Sequence, residues 1–189
     1  MIGVVLYGPP ASGKSSTTVA LSEIDPRFTL VRKLKAGNLR GTEYDFTSVE
    51  ELARLRSAGR LLLESHRYGN TYAVDRHQID QLTAAGRVPI VHLGNIADIR
   101  RLIEPAPWLL VLLWIPRDVC EQRSRQRGDT DTPHRLKAWD ETLADLAEGD
   151  DLFHLRFHTD HATPDEVARQ IAGAFSSSAS AASITLPDR

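Results

Sequence analysis

The 189-residue chain is 41% apolar and 25% charged, the balance of a folded globular domain with a core of its own. A formal charge of −2 gives no electrostatic ground for nucleic-acid binding, and a single cysteine, Cys120, excludes an intrachain disulfide. No apolar run approaches the ~18 residues of a membrane span, so the expectation is a cytoplasmic protein that meets neither nucleic acid nor membrane, its oligomeric state left open. In chain order, apolar runs at 2–7, 28–33, 61–66, 88–93, 108–115 and 153–158 predict strands. Helical patterns fall at 13–23, 48–58, 75–85, 95–104, 117–127, 135–147 and 164–175. Thr47 or Ser48 can cap the helix in "TSVEELARLRSAG", with Glu50 or Glu51 completing a capping box. This alternation predicts a three-layer α/β/α domain on a parallel sheet. "RKLKAGNLRGTEYDF" interrupts it, too polar for core and long enough for a small lobe. The composition of "SSSASAASITLPDR" predicts an unstructured tail over 176–189.

One motif carries chemistry by itself. "GPPASGKS", Gly8 to Ser15, matches G-x-x-x-x-G-K-[ST] between a strand and a helix. Glycines in such a loop let successive N–H groups face phosphate, and the following helix presents its N-terminus to the anion. Gly8, Ala11, Ser12, Gly13, Lys14, Ser15 and Ser16 are therefore the candidate ATP site, with Lys14 on the β- and γ-phosphates and the Ser15 hydroxyl on Mg²⁺. No D-x-x-G or N-K-x-D pair marks a switch GTPase, and neither "VPIVHLGN" nor "WLLVLLWIP" ends in the aspartate of an ATP-driven motor. "RSRQRGDTDTPHRL" supplies an arginine-rich stretch fit to cover a transferring phosphate.

From Gly8 to about Leu143 the chain resembles the guanylate kinase family, on the phosphate loop, the G-x-x-Y-x-F element "GTEYDF" and the arginine lid. The resemblance implies a P-loop kinase core (about 1–31 and 75–175), an acceptor-binding lobe (32–74) and a lid (123–136). It implies ATP, Mg²⁺ and transfer of the γ-phosphoryl group to a nucleoside monophosphate, GMP or a modified nucleotide. By position, Arg32, Lys35, Tyr44 and Tyr72 fall on the acceptor phosphate, Glu64 on the guanine edge, and Arg123, Arg127 and Arg135 on the catalytic lid arginines, beside Lys14. Three family features differ: Leu93 or Gly94 stands near the guanine-binding aspartate, Phe28 at the serine that reads O6, and Val74 at a hydroxyl residue. "LGNIA" is similar to the turn of ribose 1,5-bisphosphate kinases, so a sugar phosphate is the alternative acceptor. A non-catalytic guanylate-kinase-like binding module is the alternative from another class, although such modules generally degrade the phosphate loop.

Overall fold

The computed structural model describes residues 1–39, 41–67, 69–128 and 131–182. Strands β1 (Val4–Tyr7), β2 (Phe28–Leu30), β7 (Val88–Leu93), β8 (Leu109–Trp114) and β9 (Leu155–His158) form a sheet in the order β2-β7-β1-β8-β9. Every pairing in it is parallel. Its central strands read VVLY and LLVLLW, near-continuous apolar runs, because helices cover both faces. The two-residue period of the strands splits the core. Val5, Tyr7, Val91, Leu93, Leu110 and Leu112 pack on one side with α3 (Arg76–Ala84) and α4 (Ile96–Ile103). Val4, Leu6, Ile90, Leu109, Val111 and Leu113 pack on the other, with α1 (Lys14–Ile24) and α7 (Pro164–Ala182).

A second, four-stranded sheet of order β4-β3-β6-β5 contains β3 (Lys33–Ala36), β4 (Tyr44–Phe46), β5 (Leu61–Arg67) and β6 (Asn70–Asp75). Helix α2 (Val49–Ser57) closes one of its faces through Leu52, against Ala36 and Ala73. Ser48 is the α2 cap, its hydroxyl accepting from the Glu51 amide at 3.1 Å. The run expected as one strand over 28–33 divides here: Val31 still donates to Ile90 O at 2.8 Å, and by Lys33 the chain has crossed to the second sheet.

Helices α5 (Arg117–Gln126) and α6 (Thr132–Leu146) flank the expected lid, of which residues 129–130 lie outside the described residues. At the base of this pair the Trp139 ring lies tilted against Trp114, centroids 5.1 Å apart, and donates to Ile115 O at 2.9 Å, a packing role. Helix α7 corrects the expected tail, since it continues through Ser176 to Ala182 rather than ending near 175. Alanine favours helix, and the Ser177 and Ser178 hydroxyls bond back to the Gly173 and Ala174 carbonyls at 3.0 and 2.9 Å. Residues 183–189 lie outside the described residues. Among the described residues no helix is long and apolar enough to cross a membrane.

Candidate active site

The phosphate loop leaves β1 at Gly8 and enters α1 at Lys14. A Cβ at Gly8 (φ 153°) would sit 2.0 Å from Leu113 O, so only glycine lets the loop lie against β8. Gly13 caps α1 in the left-handed region (φ 90°), and a Cβ there would meet nothing within 4 Å. Open space in front of a helix N-terminus is where an anion such as phosphate can approach the first-turn amides. Thr159 Oγ1 donates to Ser12 O (2.9 Å), Arg123 to Ala11 O (3.1 Å) and Thr159 O (2.7 Å), and Cys120 Sγ to Pro10 O (3.2 Å). Lys14 Nζ curls into the loop, donating to Gly8 O at 2.7 Å, Pro9 O at 2.9 Å and Ser12 Oγ at 3.3 Å. Burial, followed by the charge of Lys33, lowers its pKa to about 7. These groups fit ATP and Mg²⁺: open space in front of a helix N-terminus, the Lys14 amine held beside it, and the exposed residue Ser15.

Two cavities meet the loop. One, of about 360 Å³, is lined by Gly13, Ser16, Arg123, Arg127, Thr159 and Val167 among others. The second, of about 220 Å³, is lined jointly by Gly8 and Lys14 of the loop and by Lys33, Tyr44, Ser65 and Tyr72 of the second sheet. His92, Asn95 and Asp98 border it from the end of β7 and the start of α4.

Strand phase decides which residues of the second sheet reach this cavity. Lys33 pairs with Tyr44, Lys35 with Phe46 and Tyr72, and Ser65 with Tyr72, so all share one face. Lys35 is buried there, Nζ on Asn38 Oδ1 at 2.8 Å and 5.1–5.8 Å from the rings of Tyr44, Phe46 and Tyr72. Two expected acceptor contacts lie out of phase. Glu64 pairs with Ala73, on the face toward α2, and accepts from Arg56 Nε at 2.9 Å and from its Nη2 at 2.5 Å. Arg32, one residue before β3, donates to Asp45 Oδ1 (2.6 Å), Thr42 O (2.8 Å) and Tyr44 O (2.6 Å). Neither residue lines the cavity, and Lys35, though on the right face, is buried beside the tyrosines and does not line it either. Of the lid arginines, Arg123 and Arg127 border the first cavity, whereas Arg135 donates to Asp131 Oδ1 at 3.0 Å and borders neither.

Lys33, Glu43, Ser65 and His92 carry no motif of their own in the sequence, whereas Asp98 stands a few residues beyond the position of the family aspartate and reaches the cavity from the first turn of α4. The alternation in "KLK" was the one local signal, since a strand that buries Lys35 on a face must direct Lys33 the same way. His92 Nε2 lies 2.7 Å from Thr18 Oγ1, and its Nδ1 lies 3.8 Å from Glu43 Oε2. His92, with Ser15 and Lys14 adding to the effect, holds the Glu43 carboxyl at about 2 despite partial burial. Burial in turn lowers the His92 pKa, against the pull of Glu43. Elsewhere, His154 Nδ1 accepts the Leu110 amide at 2.9 Å, while His158 and His161 flank Asp160 at the surface.

The guanylate kinases of Bordetella pertussis and Symbiobacterium thermophilum are each 31% identical to this chain, over 129 and 140 residues. The matches cover 66% and 70% of this chain but 60% and 65% of the relatives, so the chain spans less than two thirds of their length. No protein-family model matches. Among solved structures, a guanylate kinase from Anaplasma phagocytophilum superposes with a TM-score of 0.64 at 16% identity, covering 94% of this chain and 86% of that one. A shikimate kinase from Acinetobacter baumannii superposes at 0.51 and 14% identity, covering 94% of each chain. Those superpositions establish a P-loop kinase fold, and the sequence matches narrow it: the chain belongs to the guanylate kinase family.

Proposed function

We propose that this chain is an ATP-dependent phosphotransferase that passes the γ-phosphoryl group to the phosphate of a nucleoside monophosphate, GMP or a modified nucleotide. The observation that carries this reading is the shared cavity, in which the phosphate-loop lysine and the cation- and phenol-bearing face of the second sheet border the same space. Lys14 and the loop amides hold ATP, and Ser15 holds Mg²⁺, which when bound neutralises charge between the phosphates. Lys33, Tyr44 and Tyr72 hold the acceptor phosphate, so Lys33 takes the place the sequence gives to Arg32. Lys35 sets the cationic potential behind them. Arg123 and Arg127, joined by Arg135 if the lid turns inward, stabilise charge on the equatorial oxygens during transfer. The acceptor phosphate is already ionised near neutral pH, so no general base is needed, and catalysis is positioning plus charge stabilisation. The second sheet (about 32–74) is then the acceptor lobe and 123–136 the lid.

A smaller sugar phosphate is the second reading, favoured by the outward turn of Glu64 and by Asp98 in its stead at the cavity wall. Coupled ADP release from ATP–Mg²⁺, with GMP, dGMP, IMP, AMP, CMP, UMP and ribose 1,5-bisphosphate offered separately, tests both. Turnover on a nucleotide supports the first reading and turnover on the sugar phosphate alone the second. ATP binding without turnover on any phosphomonoester would favour a binding module.

A further inference from the structure

Phosphate-loop enzymes hold the nucleotide's metal with the loop hydroxyl and with a carboxylate at the end of a neighbouring strand. The neighbouring strand here, β7, reads VPIVHL and places His92 near that end, with no carboxylate in its run. Imidazole is a poor substitute, because Mg²⁺ is a hard cation that takes oxygen ligands. A carboxylate does border the same cavity from the other sheet. Glu43, immediately before β4, borders the cavity with Lys14 and His92 and is half-buried there. Thr18, one helical turn beyond Lys14 on α1, fixes Nε2 of His92, which leaves Nδ1 facing Glu43. A histidine oriented on one nitrogen and turned to a carboxylate with the other is how an outer group aims a metal ligand. Asp98, the other carboxylate bordering the cavity, has its Oδ2 on Asn95 Nδ2 at 2.7 Å and serves the α4 cap.

We propose that Glu43, aimed by His92, supplies with Ser15 the oxygen through which this chain holds the divalent cation of its nucleotide. The proposal rests on the nucleotide reading of the phosphate loop and adds a residue from the acceptor sheet to it. Glu43 therefore ties metal binding to the sheet that carries the acceptor.

Calorimetric titration of the full chain and of Glu43→Gln with the non-hydrolysable ATP analogue AMPPNP, with and without Mg²⁺, tests it. The expected result is a roughly 10- to 100-fold loss in affinity for Mg²⁺–AMPPNP. Metal-free AMPPNP should bind the variant equally or more tightly, because a negative charge beside the phosphates is gone. Equal weakening with and without metal would make Glu43 a structural counter-charge for Lys14 and Lys33 and overturn the proposal. So would an unchanged response to Mg²⁺. Failure of the unaltered chain to bind AMPPNP under either condition would instead remove the nucleotide reading itself, and this proposal with it. Should Glu43→Gln fail to fold, paramagnetic broadening by Mn²⁺–AMPPNP in the unaltered chain decides. The Glu43 side-chain carboxyl signal should broaden well before that of Glu64, and equal broadening of the two would refute the assignment.

Discussion

Asp145 joins three elements through one oxygen. Its Oδ2 accepts from Tyr7 Oη at 3.0 Å, at the end of β1, and from the Ile96 amide at 2.6 Å, in the first turn of α4. Tyr7 is fully buried and Ile96 4% exposed, so both bonds form away from water. Asp145→Ala removes two hydrogen bonds to a charged acceptor, one from a buried phenol and one from a buried amide. At about 1.5–2 kcal/mol for each donor, the expected cost is about 3–4 kcal/mol. For a chain of this size that lowers Tm by roughly 6–15 °C. Asp145→Asn is the informative partner: its carbonyl oxygen can occupy the Oδ2 position and keep both bonds, losing only the charge, at a cost of about 1 kcal/mol. Urea denaturation of the three proteins measures both values. An alanine variant within about 1 kcal/mol of the parent, or an asparagine variant as damaged as alanine, would refute the shared-oxygen account. Because Asn95 and Asp98 stand in the same turn as Ile96, the alanine variant should also weaken acceptor binding.

Other outcomes follow from the same structure. Lys33→Ala should raise the acceptor KM by roughly 10- to 100-fold, the value of a charge-assisted contact to phosphate, whereas Glu64→Ala should move it less than about threefold; steady-state kinetics on the preferred acceptor compares them. Gly13→Ala adds a methyl to open space, so unfolding should report only about 1–2 kcal/mol of left-handed strain while AMPPNP affinity, read by calorimetry, collapses. His92, held below its usual pKa chiefly by burial, takes up its proton more readily in the unfolded chain. Stability should therefore fall as pH drops below 6.5 toward the lower folded value, and His92→Gln should flatten denaturation midpoints measured between pH 7 and 5.

What the sequence exposed was what is local. The phosphate loop is a contiguous octet, and each core strand or helix announces itself by its own period within a dozen residues. The second sheet depends on phase, which is long-range. Arg32 and Lys35 follow a three-residue spacing, but β3 obeys a period of two, so Lys33 rather than Arg32 accompanies Lys35. Glu64 stands next to the residue that faces the cavity. A register shift between Leu61 and Leu63 in the β5–β6 pairing separates the two choices, and nothing in "RLLLESHR" announces that shift. Glu43 and His92 meet across two sheets from positions 49 apart, and no local pattern links them. Helix α7 outlasts its apolar periodicity because alanine sustains helix without needing a core to face.

Under the proposed function a phosphate, not a hydroxyl, receives the γ-phosphoryl group. Phosphorus NMR of the reaction with ATP–Mg²⁺ and the preferred acceptor decides it directly. Transfer to phosphate gives a new pair of coupled diphosphate resonances that grow with ADP and are absent in Lys14→Ala. A new uncoupled monoester resonance, or inorganic phosphate alone, would contradict it.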